Sequence, residues 1–310
     1  MGNLFKKIVT SLRSNIKLET KVNHIESELI QLKLLCGSIH AQLNKKNDDV
    51  SINSHEFKVF SQFGDDGIIQ YLISKIQIPN KTFIEFGVED FFESNTRFLM
   101  MKDNWEGFVI DGSEENINRL KNSSFYWQYQ LKAEASFITK ENINTLLDKS
   151  GFDHDLGIMH IDLDGNDYWI WNEIDKFSPR ILIIEYNSVL GIDHHWSVPY
   201  KADFQRFKEH YSGLYWGASL LSMYELGNIK GYDLVGSNLS GNNAYFVRKD
   251  VNTIPKLSAD EAYKISKYRE SRDEAGVLNF VSKNERLKVI EGMPVFDTLN
   301  NKLETIKART

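Results

Sequence analysis

The sequence lacks the features that define several common protein classes. It has one cysteine, Cys36, and therefore no disulfide within the chain, as is typical of a reducing compartment. No apolar run approaches the length that spans a bilayer, and the first residues have neither the long apolar region nor the cleavage site of a signal peptide. We expect a cytoplasmic protein.

The chain also lacks a net positive charge. The 310 residues carry a formal net charge of −6, with acids and bases mixed along the chain. No basic stripe offers the phosphate-neutralising surface that general nucleic-acid binding requires, so we do not expect a nucleic-acid partner. Hydrophobic residues make up 41% of the chain and charged residues 26%, which is ordinary for a protein with a full core.

The first 46 residues predict a helix with a coiled-coil seam. From residue 18 to residue 43 apolar residues recur alternately four and three apart, with polar residues between them. This pattern favours a homo-oligomer formed through residues 18–43, and the alternative is an amphipathic helix lying on the globular domain. The seam residues are Leu18, Val22, Ile25, Leu29, Leu32, Cys36, Ile39 and Leu43.

An apolar face beside basic side chains precedes the seam, at residues 4–13. Such a face is typical of helices that lie on a membrane surface, which would make the protein peripheral to the inner face of the membrane. Packing on a partner or on the chain's own domain is the alternative.

The rest of the chain divides into a linker (47–56), an α/β domain (57–255) and a C-terminal extension (256–310), predicted to be helical. In the domain, short β-rich runs alternate with helical segments, which predicts βαβ crossovers and a doubly wound, mostly parallel Rossmann-like sheet. The last two runs are joined by "NLSGNN" and predict an antiparallel hairpin. The β-rich runs are "TFIEF", "GFVID", "KAEASFI", "LGIMHID", "ILIIE", "YDLVGS" and "AYFVR".

Acidic residues end four of the predicted strands, in "IEFGVED", "VIDGS", "IDLDGND" and "IEYNS". The carboxyl ends of parallel strands face the ligand crevice in this architecture, so these acids are expected to face a ligand. Asp111 ends the second strand, 24 residues after Gly87, where an acid grips the hydroxyls of a ribose.

The turn after the first strand is poorly suited to binding phosphate. "GVEDFFESN" has one glycine where a dinucleotide fingerprint has three, and its acids would repel a pyrophosphate. A cationic adenosine ligand suits the site better. S-adenosylmethionine is a sulfonium of this kind, and Glu85 could attract its cationic end.

Taken together, these motifs resemble those of a known protein family. "FIEFG…GFVIDGS…IMHIDLDGNDYWIW…PRILIIEYN…WGASLLSMYELG…KGYDLVG…NNAYFVR" resembles the FkbM-like group of class I S-adenosylmethionine-dependent methyltransferases, including members associated with bacterial sugar and surface-polysaccharide loci. The resemblance covers roughly residues 55–250. It implies a methyltransferase fold and an activity on a sugar or surface glycan.

The resemblance also implies a cofactor site. By this resemblance, the acids that hold the cofactor correspond to Glu85 and Asp111, and the glycine turn corresponds to Gly87. Glu89 and Phe91 stand where the family pattern has its later glycines. The adenine is expected to meet a residue after the third strand, either Glu134 or Ala135 with Ser136. The predicted cofactor set is Glu85, Gly87, Asp111, Gly112, Ser113, Glu134 and Asp162.

Methylation of a sugar hydroxyl requires an oxygen that is deprotonated and aligned with the methyl donor. A Mg²⁺ ion held by oxygen ligands would lower the pKa of the hydroxyl and fix the direction of its oxygen. The predicted ligands lie at the ends of the fourth and fifth strands: Asp162, Asp164, Glu185 and Asn187. The set is similar to that of metal-dependent catechol and macrolide-sugar O-methyltransferases. Asp164 acting directly as a base, without metal, is the alternative.

A loop after the fifth strand, "GIDHHWSVPY", supplies further candidates. His194 and His195 are candidate general bases, with Trp196 and Tyr200 as stacking surfaces for a sugar ring, although a histidine pair in a loop is more often solvated surface. His160 is expected to be a hydrogen-bonded core residue.

Two hypotheses of different classes follow. The first is an S-adenosylmethionine-dependent O-methyltransferase acting on a sugar or surface-glycan acceptor, oligomerised by its coiled coil. The second is a non-catalytic coiled-coil scaffold whose methyltransferase-like domain is degenerate, motivated by the altered glycine turn. Turnover of the cofactor separates them.

Overall fold

A computed structural model of the protein describes residues 2–282 and 285–307, and for residues 2–16, 19 and 23 it describes the helical backbone alone. The membrane contact predicted for residues 4–13 therefore concerns side chains outside the described residues. Among the described residues, no helix is both long enough and apolar enough to cross a membrane.

Ten strands form two sheets within the described residues. Seven strands make the central sheet in the order β3-β2-β1-β4-β5-β8-β7, and three make a small sheet in the order β10-β9-β6. The strands are β1 (Thr82–Phe86), β2 (Glu106–Asp111), β3 (Leu131–Ala135), β4 (Ile158–Ile161), β5 (Ile181–Glu185), β6 (Trp196–Ser197), β7 (Tyr232–Ser237), β8 (Asn243–Arg248), β9 (Pro294–Asp297) and β10 (Lys302–Thr305).

The central sheet confirms the predicted fold class. Strands β1 to β5 pair in parallel, whereas β8 pairs antiparallel with both β5 and β7. The order reverses between β1 and β4, which opens a crevice at the carboxyl ends of the strands. The hairpin predicted from "NLSGNN" is the β7–β8 pair.

Helices cover both faces of this sheet because successive strand residues point to opposite sides. Ile84 and Phe86 of β1 pack in one core, and Phe83 packs in the other. The helices are α1 (Gly2–Asn44), α2 (Asp65–Lys75), α3 (Arg97–Asp103), α4 (Glu114–Lys121), α5 (Ile143–Asp148), α6 (Asp167–Glu173), α7 (Arg206–Glu209), α8 (Leu220–Lys230), α9 (Ala259–Ala262) and α10 (Glu285–Val289). Helices α2, α3 and α4 cover the face of Phe83, and α5, α6 and α8 cover the other.

The prediction of a helical C-terminal extension is wrong for most of its described length. Among the described residues after 255, the helices are the short α9 and α10, and the segment "MPVF" enters the β9–β10 hairpin. Strand β9 pairs with β6, so the extension joins a small sheet next to the main domain. Val295 and Ile306 are buried in its core together with Trp196.

The predicted linker is also packed rather than free. Within it, Ile52 and His55 are buried, and His55 stacks on Tyr71 of α2 with ring centroids 3.9 Å apart. The side-chain amide of Asn53 donates to the carbonyl of Ser237 at 2.8 Å. These contacts tie the end of α1 to the domain.

Candidate functional site

Two adjoining cavities lie at the carboxyl ends of the central strands. The β2 cavity, about 530 Å³, is lined by the ends of β1, β2 and β4, by residues 136–138 after β3 and by residues 204–208 around α7. The acidic cavity, about 400 Å³, is lined by the ends of β1, β4 and β5, by residues 62–63, 93–95 and 242–243, and by Tyr268 and Glu270. Six residues line both: Gly87, Glu89, Asp162, Asp164, Arg206 and Phe207.

Glu85 at the end of β1 is held by its own surroundings. Its carboxylate accepts hydrogen bonds from Ser94 Oγ at 2.6 Å and the backbone N–H of Asn95 at 2.9 Å, and it also accepts from Thr96 Oγ1. His160 Nδ1 lies 2.9 Å away. Burial would raise the pKa of Glu85, but these hydrogen bonds and the charge of His160 lower it overall. Glu85 lines the acidic cavity and, with His160, forms its buried floor, which confirms the prediction of a hydrogen-bonded core histidine.

The turn after β1 has the positive φ angles of a glycine-rich turn, although only its first residue is glycine. Gly87, Glu89 and Phe91 have φ angles of +67°, +47° and +63°. A Cβ at Gly87 would lie 1.8 Å from the carbonyl oxygen of Asp162, so this position requires glycine. Residues with a side chain rarely adopt the positive φ angles that Glu89 and Phe91 have. Backbone strain of this kind persists where the surrounding structure imposes it, commonly at functional sites.

Asp111 lies at the floor of the β2 cavity and is 8% exposed. One carboxylate oxygen accepts from the backbone N–H of Glu89 at 2.8 Å and the other from that of Ser113 at 2.8 Å. Gly112 beside it also lines the cavity. This acid therefore fixes the turn after β1 to the end of β2 and faces the cavity from there.

Two residues of the predicted cofactor set lie elsewhere. Ser113 is the N-cap of α4, where its hydroxyl accepts from the backbone N–H of Asn116 at 3.2 Å, and it does not line either cavity. Glu134 forms an ion pair with Lys149 at 2.5 Å outside both cavities, because it precedes the end of β3. The residues that line the cavity after β3 are Ser136, Phe137 and Ile138, of which the sequence analysis named only Ser136.

A pair of carboxyl groups lies where the cavities meet. Asp162 follows β4 and Glu185 ends β5, and their side chains are hydrogen-bonded to each other. Burial raises the pKa of Asp162 to about 6, with the charge of Asp164 adding to the rise, and burial together with Asp162 raises that of Glu185 well above its ordinary value. The Oε2 atom of Glu185 is buried and has no hydrogen-bond partner among the described residues. The pair is therefore expected to share a proton near neutral pH.

Asp164 is engaged by a cation that the sequence analysis missed. Arg206 Nη1 lies 2.9 Å from the Asp164 carboxylate, and Nη2 lies 3.8 Å from that of Glu270. The guanidinium lies over the ring of Trp216, 5.2 Å from its centroid. Arg206 is the first residue of α7, which has four residues, and it lies at the wall of both cavities.

The predicted magnesium set is not assembled. Asn187 is fully buried, with its amide donating to the carbonyls of Leu214 and Trp216 and its Oδ1 accepting from the N–H of Val189. Asp164 is paired with Arg206. The grouped carboxyl oxygens are those of Asp162, Asp167 and Glu185, within 4.8 Å of one another.

Asp167 is a poor third ligand in this group. Its two oxygens accept from the N–H groups of Leu163 at 2.8 Å and Gly165 at 3.0 Å, so Asp167 holds the turn that precedes α6. The four residues expected to hold a divalent ion thus do not fit one.

Comparisons with known proteins find likeness to solved structures at low sequence identity. No protein-family model matches the sequence, and no curated protein matches it. An O-methyltransferase from Bacillus cereus in complex with SAH is 11% identical, covers 71% of this chain and 91% of its own, and has a TM-score of 0.41.

Two further solved structures resemble the chain at a similar level. The N-terminal domain of EvdMO1 with SAH bound is 10% identical over 61% of this chain and 80% of its own, with a TM-score of 0.39. An S-adenosylmethionine-dependent methyltransferase from Clostridium acetobutylicum is 10% identical over 68% of this chain and 96% of its own, with a TM-score of 0.37. At these scores the function must be argued from the site itself.

The histidine pair does not reach either cavity. His194 stacks on Trp196 with ring centroids 3.9 Å apart, and Trp196 is buried in the small sheet. The carbonyl of His195 accepts from the N–H of Thr298 at 2.8 Å, so the loop is fixed to the C-terminal extension. Tyr200 donates its hydroxyl to Glu141 at 2.7 Å. The loop leaves the crevice because β6 pairs with β9, which the sequence pattern did not reveal.

The C-terminal extension instead supplies cavity residues. The hydroxyl of Tyr186 donates to the carbonyl of Lys264 at 2.7 Å, which holds the extension over the end of β5. Tyr268 and Glu270 thereby enter the wall of the acidic cavity. Tyr268 stacks on Phe63 with ring centroids 5.9 Å apart. No local motif could have identified these two residues, since their position depends on contacts far along the chain.

Proposed function

We propose that the protein is an S-adenosylmethionine-dependent O-methyltransferase that methylates a hydroxyl of a sugar or glycan acceptor. The observation that carries the proposal is the pair of adjoining cavities with a carboxyl pair at their junction. Asp111 faces the β2 cavity, and Asp162 with Glu185 lies where that cavity meets the acidic one. Cavities of this size accommodate small organic ligands.

The β2 cavity supports the cofactor assignment. Asp111 offers a carboxylate at the end of the second strand, where a doubly wound sheet grips a ribose. Phe137 and Ile138 offer apolar surface for an adenine, and Gly112 leaves the cavity wall open beside them. When bound, S-adenosylmethionine would supply an electrophilic methyl group.

The acidic cavity supports a hydroxyl-bearing acceptor. Seven carboxyl side chains line it, and among its lining residues Arg206 alone carries a permanent positive charge: the acids are Glu85, Glu89, Glu93, Asp162, Asp164, Glu185 and Glu270. Such a wall repels phosphate and carboxylate groups. Glu185 Oε2 and Asn243 Oδ1 are buried acceptors with no partner among the described residues, and a hydroxyl group could satisfy each by donating to it.

The carboxyl pair supports base catalysis by the protein itself. A pKa of about 6 leaves Asp162 mostly ionised at neutral pH and more basic than an exposed carboxylate. The acceptor hydroxyl would give its proton to Asp162 as its oxygen takes the methyl group, while protonated Glu185 holds Asp162 in place by their hydrogen bond. Asp164 is less suited to this role because it is paired with Arg206.

The conformation of the turn after β1 argues against the scaffold hypothesis, which was motivated by the missing glycines of this turn. The turn keeps positive φ angles at residues 87, 89 and 91, although two of them are not glycine. Loss of function would remove the reason to keep a strained backbone there.

Calorimetric titration of S-adenosylhomocysteine (SAH) into the full-length protein tests the cofactor assignment. Transfer of labelled methyl from S-adenosylmethionine to neutral oligosaccharides, uronic acids, sugar phosphates and peptides then tests the acceptor. We expect binding of SAH and transfer to neutral sugars. Absence of binding would overturn the methyltransferase proposal, whereas binding with transfer only to peptides or anionic acceptors would overturn the acceptor class.

A further inference from the structure

The first helix has two apolar faces, and only one of them contacts the domain. Ile30, Leu34 and Ala41 of α1 pack with Phe57, Val59, Phe60 and Phe98. Between them, a Cβ at Gly37 would lie 2.6 Å from Cγ2 of Val59, so glycine permits the close approach. The seam predicted from the sequence does not take part in this contact.

The seam residues instead face solvent. Leu18, Ile25, Leu32 and Ile39 occupy one core position of the heptad, called d, and are between 51% and 62% exposed. Val22, Leu29 and Leu43 occupy the other, called a, and are between 44% and 59% exposed. Cys36, also at a, is exposed. At about 1.5 Å per residue the seam is roughly 38 Å long, an apolar stripe that monomeric proteins rarely leave uncovered.

The charges beside the seam identify what covers it. In a parallel coiled coil with both helices in register, a residue just before position a faces the residue five places later on the second helix. Lys21 then faces Glu26, and Glu28 faces Lys33. Both pairs carry opposite charges, and each occurs twice in a symmetric dimer.

The domain limits the number of helices that can join. Lys33 and His40 occupy the position just after d, and both lie beside the chain's own domain: Lys33 Nζ is 5.6 Å from the ring centroid of Phe60, and His40 stacks on Phe57 at 4.5 Å. Assemblies of three or more helices bury these flanking positions more deeply than a two-stranded coil does. The a and d positions beside them remain exposed.

We propose that residues 18–43 form a parallel, in-register, two-stranded coiled coil with a second copy of this chain. The partner helix covers the a and d positions, while the opposite side of α1 stays on its own domain. Because the two helices are parallel, both catalytic domains lie at the same end of the coil. This proposal is independent of the methyltransferase activity.

The single cysteine tests the arrangement without any substitution. In the proposed dimer the two Cys36 side chains face each other across the axis, whereas a fully overlapping antiparallel pair would put Cys36 beside Ile25 of the second copy, roughly 16 Å from the other thiol. A disulfide needs Cβ atoms about 3.5–4.5 Å apart. We therefore expect mild oxidation of the full-length protein to convert most of it to a covalent dimer, and sedimentation to give twice the mass of one chain before oxidation.

Two variants provide the controls. Replacing Leu29 and Leu32 with aspartate should halve the sedimenting mass and abolish the cross-link while leaving the circular dichroism of the domain unchanged, because both side chains are exposed. Ile229→Asp, at an exposed apolar residue of α8, should leave the dimer intact. A monomer or a trimer in the unmodified protein, or a dimer in which Cys36 does not cross-link, would overturn the proposal.

Discussion

The two cavities differ in how the chain builds them. The β2 cavity takes most of its wall from the strand ends and from the residues that directly follow them, so its central acid, Asp111, was predictable from spacing. The acidic cavity takes its wall from eight separate parts of the chain between residues 62 and 270. The β2 cavity therefore depends on local strand ends and turns, whereas the acidic cavity depends on contacts between distant parts of the chain.

The two cavities also differ in the electrostatic surroundings of their carboxyl groups. In the acidic cavity, burial raises the pKa values of Asp162 and Glu185, and the charge of Asp164 adds to both rises. In the β2 cavity, by contrast, each carboxylate oxygen of Asp111 accepts from one backbone N–H group, and the carboxylate keeps a further acceptor position for a ligand. A carboxylate stabilised by N–H groups suits binding, whereas a carboxyl group destabilised by burial and like charge suits proton transfer.

The largest expected effect is on turnover. Asp162→Asn keeps the size of the side chain but removes the proton acceptor, so kcat should fall by about 10²–10⁴-fold. Affinity for SAH should change little, because Asp111 remains in place. Steady-state kinetics with the best acceptor, together with calorimetry, measure the two quantities, and Glu185→Gln is the matched control. Its amide can still donate to Asp162, so most activity should survive; turnover by the Asp162 variant at the wild-type rate would exclude it as the base.

The next effect is on cofactor affinity. Asp111→Ala should raise the Kd for SAH by about a hundredfold or more, since two hydrogen bonds to a charged group are worth about 1.5–3 kcal/mol each. Glu134→Ala removes an acid from the neighbouring strand and should leave the Kd unchanged, because Glu134 lies outside both cavities. Because Asp111 also ties two backbone N–H groups, thermal denaturation must accompany the titration. Equal weakening by both variants would show that Asp111 does not contact the ligand.

The succession of strands and helices, the hairpin and the acids at the strand ends could be predicted from the sequence because each depends on a short stretch of chain. Alternation of β-rich and helical segments fixes the sheet, and "IDLDGND" marks the strand end that holds Asp162. Arg206, Tyr268 and Glu270 could not be predicted, since the end of a four-residue helix and the path of the C-terminal extension decide where they lie. His194 and His195 were misplaced for the same reason, because β9 draws their loop out of the crevice.

A smaller effect is expected on the pH dependence of the rate, which tests the electrostatics of the acidic cavity. Arg206 lowers the pKa of Glu185, which burial and the neighbouring acids raise. Activity requires the ionised base, so the rate should rise with pH through the apparent pKa of the pair and then level off. Arg206→Gln removes the positive charge and should move this rise to higher pH, whereas Arg206→Lys should move it less. A pH–rate profile that is unchanged in the glutamine variant would show that the guanidinium does not influence the reacting pair.

No effect at all is expected from metal removal. Of the four residues expected to hold magnesium, Asn187 has its amide engaged by backbone groups and Asp164 is paired with Arg206, which leaves two carboxyl groups that already share a hydrogen bond. Two ligands that share a proton bind a hard cation poorly, because the ion must displace the proton first. Dialysis against EDTA should therefore leave kcat unchanged, and added Mg²⁺ should not raise it. Activity that disappears on chelation and returns with Mg²⁺ would mean that the Asp162–Glu185 pair rearranges to take a metal, and it would assign the acidic cavity to metal-assisted rather than carboxyl-based deprotonation.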